Sequence, residues 1–236
     1  MKIKLLITCY EGNFNKIIDY IKKYNQDIEI VLYNKKNNDF GIPVKNIGVD
    51  SYDKLHYIIN NYENLPDIII FSTDSMLSEG EKKSKKFKYI INNLSILKNK
   101  SGFLTGHIFK IPKESINFEL KTYPKTQKEI IRSTITPYQS WFYKFINNSF
   151  DIKDTYVCNK STFAVTKDLI LSNSKNYYIE LLEEVEKHSV KGHDSEVPHY
   201  FERAWVELFC KNDISKMFHD DKTYGLVDSI KNNPNI

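Results

Sequence analysis

Three apolar runs constrain this chain more than any other feature: Ile3–Tyr10, Asp27–Lys35 (Asp-Ile-Glu-Ile-Val-Leu-Tyr-Asn-Lys) and Ile68–Phe71. Between them lie two stretches with helical periodicity. Phe14, Ile17, Ile18 and Ile21 form the apolar stripe of the first, and Leu55, Ile58, Ile59 and Tyr62 that of the second. Ser51 is placed to cap the second helix, and Leu65-Pro66-Asp67 stops it. A β-α-β-α-β order of this kind demands right-handed crossovers and parallel strands. The expected fold class is therefore α/β, with a mixed, mainly parallel central sheet flanked by helices.

Further along, the pattern predicts a helix near Phe87–Leu97, strand-like runs at Gly102–Ile111 and Asn117–Thr122, and an aromatic helix at Tyr138–Ile146. Tyr156–Thr166 reads as one strand, and Leu181, Leu182 and Val185 belong to another helix. Weak periodicity over 111–137, with several Pro, Thr and Lys residues, marks a lid or acceptor-side excursion within one domain spanning 1–230; the Asn-rich tail, 231–236, is expected to fray.

The 236 residues are 41% hydrophobic and 14% aromatic, which is ample for a core, and the formal net charge is only +4. Lysines spread along the chain read as solvated surface, so nucleic acid is not an expected partner. The dense run Lys82–Lys88 reads as an exposed helix start. No apolar run approaches the ~20 residues of a membrane span, and the N-terminal stretch lacks a signal-peptide cleavage site. Cys9, Cys158 and Cys210 are odd in number and widely spaced, as for reduced thiols in a cytoplasmic protein.

In an open α/β sheet, ligands bind outside the carboxyl ends of the parallel strands. Three segments emerge there: Thr8-Cys9-Tyr10-Glu11-Gly12-Asn13, Tyr33-Asn34-Lys35 and Ser72-Thr73-Asp74-Ser75. From them Thr8, Tyr10, Glu11, Tyr33, Asn34, Lys35, Ser72 and Thr73 are candidate nucleotide-binding residues, with Tyr10 and Tyr33 available to stack on a base. Neither GxGxxG nor GxxxxGK[ST] is present, which argues against a Rossmann dinucleotide enzyme or a P-loop NTPase. Asp74 reads two ways, as a helix cap or as a ligand of a divalent cation.

A second chemical cluster, Gly192-His193-Asp194-Ser195-Glu196, enters a helix anchored by Val197, Phe201, Ala204, Trp205, Leu208 and Phe209. Capping needs only Asp194 or Ser195, so the loop holds more acid and imidazole than folding requires. His193, Asp194, Glu196 and His199 are expected to face a cleft. His56 and His107 are weaker candidates, since a lone His is more often a hydrogen-bonded structural residue.

Several blocks resemble, in order, the small GT-A-type glycosyltransferases encoded by large DNA viruses and related proteins of fungi, algae and bacteria. Tyr33-Asn34-Lys35 matches that family's Y-N-K. Asn46-Ile47-Gly48-Val49-Asp50, Leu55-His56-Tyr57-Ile58-Ile59 and Asn61–Asp67 resemble its N-x-G-R-E…L-H-x-I-I-x-N-Y-x-x-L-P-D signature. Tyr138–Phe142, Phe163-Ala164-Val165-Thr166 and His199–Trp205 resemble its W-F/Y, F-A-V-S/T and H-Y-L-E-R-x-W blocks. The resemblance implies a GT-A-like fold, a nucleotide-sugar donor (UDP-linked above all), Mn²⁺ or Mg²⁺, and a glycan or glycoprotein acceptor. It adds Gly48, His56 and His199 to the donor-site candidates. A viral chain of this kind would act in the host cytoplasm. The family's Arg is Val49 here and its Glu is Asp50; the D-x-D of GT-A enzymes is reduced to Thr73-Asp74-Ser75.

The expected mechanism follows from these residues. Asp74, with help from His193 or Asp194, holds the metal on the donor diphosphate. In an inverting reaction, Glu196 or Asp194 takes the proton of the acceptor hydroxyl. If Val49 has lost the diphosphate grip, either Lys35 supplies it or the chain is a binding module without turnover. A metal-dependent phosphohydrolase is a third, more distant reading.

Overall fold

The computed structural model describes residues 1–10, 14–23, 27–36, 40–77, 80–106, 108–112, 116–117, 119–122, 129–147, 154–158, 162–191, 193–211 and 213–220. The expected alternation opens the chain: β1 (Ile3–Cys9), α1 (Asn15–Lys23), β2 (Glu29–Asn34), the short β3 (Ile42–Pro43), α2 (Val49–Asn60) and β4 (Ile68–Thr73). Next come α3 (Gly80–Asn92), α4 (Leu94–Asn99), β5 (Phe103–Leu104), β6 (Phe109–Pro112), α5 (Tyr138–Phe145), β7 (Asp154–Val157) and β8 (Phe163–Thr166). The remaining elements are α6 (Lys167–Leu171), α7 (Lys175–Lys187), α8 (Glu196–Cys210) and β9 (Met217–Phe218).

Seven strands form the main sheet in the order β3-β2-β1-β4-β8-β5-β9, and β6 pairs with β7 in a separate ribbon. Within the main sheet β1 to β4 are mutually parallel and only β8 runs against its neighbours. The expected fold class, a mixed and mainly parallel sheet flanked by helices, is the one observed. Among the described residues no helix is long and apolar enough to cross a membrane.

Strand alternation sends side chains to two cores. Leu5, Ile7, Cys9, Ile68 and Ile70 pack with Ile17 and Ile21 of α1 and Phe87, Ile90 and Ile91 of α3. Leu6, Tyr33, Ile69, Phe71 and Phe163 pack on the other face with α2, α5, α7 and α8. With α1 on one face and α2 on the other, the strand order reverses between β1 and β4. In open α/β sheets such a reversal leaves a crevice outside the carboxyl ends of the strands.

Four expected elements differ, and Ser51, the expected cap, lies inside α2, whose N-cap is Gly48. Gly102–Ile111 contains parts of two strands, β5 and β6, in different sheets. The helix near Phe87–Leu97 is two helices that break at Asn93, whose side chain donates to the Tyr89 carbonyl. Tyr156–Thr166 holds two strands in different sheets instead of one. Among its described residues, Asn117–Thr122 contributes only an isolated bridge, Thr122 to Glu129. The expected fraying at 231–236 lies outside the described residues.

Candidate functional site at the carboxyl edge

At the β1–β4 crevice the Tyr10 amide donates to Asp74 Oδ2 across 2.9 Å. Asp74 begins a 3-10 turn that directly follows β4. Its buried carboxylate thus ties the ends of two neighbouring strands together. The Tyr10 ring is half-buried, and its hydroxyl is shielded from solvent with no hydrogen-bond partner among the described residues. Burial, reinforced by the charges of Asp50, Asp53 and Asp74, holds that hydroxyl well above its ordinary pKa. Thr73 is half-buried, with its hydroxyl 3.2 Å from that of Ser75, while buried Ser72 leans on the Thr73 carbonyl at 3.3 Å.

Behind the crevice lies a charged network that spacing did not reveal. Asp53, fully buried on α2, accepts from the Thr8 hydroxyl at 2.7 Å and pairs with Lys35 Nζ at 3.2 Å. The Lys35 contact is one of charge more than of alignment, because Asp53 Oδ1 lacks a well-angled hydrogen bond. Desolvation outweighs Lys35 and Thr8 and pushes the Asp53 carboxyl up to about 6. It also lowers the pKa of Lys35 despite its carboxylate neighbours. One turn away, Lys54 pairs with Asp50. Its ammonium lies 6.0, 5.9 and 5.6 Å from the rings of Phe71, Phe163 and Trp205.

Lys35 therefore has a role other than gripping a diphosphate. An ammonium has three N–H bonds, and Asp53 Oδ1, the Ile47 carbonyl (2.7 Å) and the Val49 carbonyl surround it. Asn34 is likewise committed, its amide donating to the Phe40 carbonyl and its oxygen accepting from the Lys36 amide. Tyr33 is buried between His56 and Tyr57, which leaves no ring face for a base. His56 stacks on Tyr52, with Nδ1 at 3.2 Å from the Tyr33 hydroxyl and Nε2 at 3.0 Å from the Asn60 amide nitrogen. With both ring nitrogens engaged, His56 fits a structural role, not donor binding. Glu11 and His107 lie outside the described residues.

Gly48 and Val49 begin α2 with positive φ, 61° and 50°. At Gly48 a Cβ would stand 2.2 Å from Val185 Cγ1, so both the backbone angle and the space demand glycine. Val49 is a β-branched residue in the left-handed region, where strain costs on the order of 1–2 kcal/mol.

The second cluster divides. Trp205 packs on Phe163, whereas the Leu208 carbonyl accepts from Asn173 beyond the other end of β8. The start of α8 therefore points toward the carboxyl edge. His193 and Asp194 are exposed on the preceding turn, and His199 is half-buried 3.9 Å from Glu202. Glu196, however, is fully buried and turned inward. It accepts from the Leu120 amide (2.8 Å), the Ser133 amide (3.1 Å) and Arg132 Nε (2.9 Å). The expected general base is instead a clasp that fastens part of the 111–137 excursion to α8. Ile131 N–H to the Asp194 carbonyl and Thr134 N–H to His188 Nε2, both 3.0 Å, complete the fastening. Among the described residues no group of three or more His, Cys, Asp or Glu is arranged to hold a metal ion.

The fold defines an α/β protein whose sheet has a topological switch point between β1 and β4. The family model described as a protein of unknown function, DUF3431, matches residues 14–223, and the chain belongs to that family. The comparison with curated proteins gave no match.

Proposed function

We propose that the chain is a metal-dependent glycosyltransferase that takes a nucleotide-sugar, UDP-linked above all, and delivers the sugar to a glycan or glycoprotein. The observation that carries this reading is the pairing of Tyr10 and Asp74 at the β1–β4 switch point. It combines a solvent-shielded hydroxyl without a partner among the described residues, a carboxylate and neighbouring hydroxyls at one sheet edge. The blocks that resemble GT-A enzymes supply the substrate class, and the mixed sheet suits it.

The donor chemistry of the crevice fits a hard divalent ion. Mg²⁺ or Mn²⁺ bound on a diphosphate needs only one or two protein carboxylates, the phosphates and waters supplying the rest. Asp74 is the residue that would hold it, with Thr73 and Ser75 hydroxyls beside it. Bound there, the ion would neutralise charge on the leaving nucleotide. Tyr10 flanks the donor with its half-buried ring. Asp194 and His193, exposed at the start of α8, receive the acceptor and its proton. Three free, buried cysteines suit a cytoplasmic setting.

The second reading is a nucleotide- or sugar-binding module without turnover. It draws on Val49, 47% exposed, which offers no charge where the resemblance implies Arg. Release of free nucleotide from UDP-sugars with Mn²⁺, with and without glycan acceptors, decides between them. Metal-dependent release supports the transferase; tight UDP binding without any release supports the module.

A further inference from the structure

The geometry points to the buried Lys35–Asp53 pair as a positioning device that sets the start of α2 against the ends of β1 and β2, and so shapes the crevice. Each step is a named contact. Tyr10 is tied to Asp74 after β4. Two residues back along β1, Thr8 is tied to Asp53 on α2. Asp53 faces Lys35, which follows β2, and Lys35 holds the carbonyls of Ile47 and Val49. Four elements that the chain brings in separately are thereby linked through polar contacts.

Two carbonyls, two residues apart, can converge on one ammonium only if the chain turns sharply between them. That turn occurs at Gly48 and Val49, both with φ near +50° to +61°. A β-branched residue stays in this region only where its surroundings over-determine it. Charge-assisted hydrogen bonds from Lys35 provide such a constraint. The same site would be filled at less desolvation penalty by apolar side chains. An ion pair here is thus better explained by the shape it imposes than by stability.

The role in ligand binding rests on the proposed nucleotide site, but the positioning does not, so two readouts separate them. Lys35→Met combined with Asp53→Leu replaces the pair with apolar groups of similar size and keeps the fold testable. In the ligand-free protein, amide exchange at Val49–Tyr52 is expected to accelerate more than about tenfold, with Ile69–Phe71 of β4 unchanged. UDP affinity with Mn²⁺, measured by calorimetry, is expected to fall by at least about tenfold while the melting temperature holds. Unchanged exchange at Val49–Tyr52 overturns the positioning role. Accelerated exchange with undiminished UDP binding confines it to the loop and overturns its bearing on the crevice. Should the unmodified protein bind no UDP, the function proposed above fails, and the exchange result still decides the positioning. As a milder variant, Thr8→Val removes one link and is expected to shift the same amides by less.

Discussion

Two helix starts each bury a carboxylate, and they use it differently. At α8, Glu196 receives two backbone amides and a guanidinium that is one-third exposed. At α2, Asp53 receives a hydroxyl and an ammonium as buried as itself. Backbone amides and a solvated arginine satisfy a carboxylate without desolvating a second charge. The buried pair desolvates both partners, and the Asp53 carboxyl is pushed up accordingly. One acid staples a segment to the body of the protein. The other holds the walls of a crevice in a costly arrangement, as functional sites often do.

Removing the staple should have the largest effect. Glu196→Ala leaves a buried amide, a half-buried one and Arg132 without their acceptor, and a loss of roughly 4–5 kcal/mol is expected in urea unfolding. A loss below about 1 kcal/mol would mean that Glu196 is free for other chemistry. Lys35→Met strands Asp53 and two carbonyls, with an expected loss of roughly 3–4 kcal/mol at pH 7. If it costs nothing, the contrast between the two acids is empty.

Acid titration sharpens the difference further. The unfolded chain releases the Asp53 proton near the ordinary 3.8, whereas the folded protein keeps it to about 6. Between those values the folded state binds more protons, so this contribution is complete below about pH 3.8 and is lost as pH rises through 6. The shift corresponds to about 3 kcal/mol. Asp53→Asn should erase that slope, measured as the difference from the unmodified protein in unfolding free energy over pH 4–6. Parallel curves would refute the burial argument. Smaller again, Gly48→Ala should cost about 2 kcal/mol through its φ and the clash with Val185, read as a lower melting temperature.

Much of the fold was legible because parallel strands buried on both faces give unbroken apolar runs, as Ile3–Tyr10 and Ile68–Phe71 do. The same continuity hid the break inside Tyr156–Thr166, where two strands of different sheets share one hydrophobic stretch. Strand ends located Asp74, Tyr10 and Lys35 at one edge. Their partners were not legible: Lys35 meets Asp53 from another element, and no local spacing encodes that contact. Asp50, Asp53 and Lys54 carry the i,i+4 charge pattern of an ordinary solvated helix face. Their burial arises because α2 is enclosed by the sheet, α7 and α8. For Glu196, the helix start was visible but not the turn of its side chain toward 119–133.

Nucleotide binding at the β1–β4 carboxyl edge, as proposed, depends on Asp74. Its most direct test is the melting temperature of the unmodified protein and of Asp74→Asn against UDP, GDP, CMP and ADP, each with and without Mn²⁺. At ligand a hundredfold above its Kd, a rise of about 5–10 °C is predicted for one nucleotide with Mn²⁺ in the unmodified protein, and no rise in Asp74→Asn. No rise with any nucleotide, or the same rise in Asp74→Asn, would contradict it.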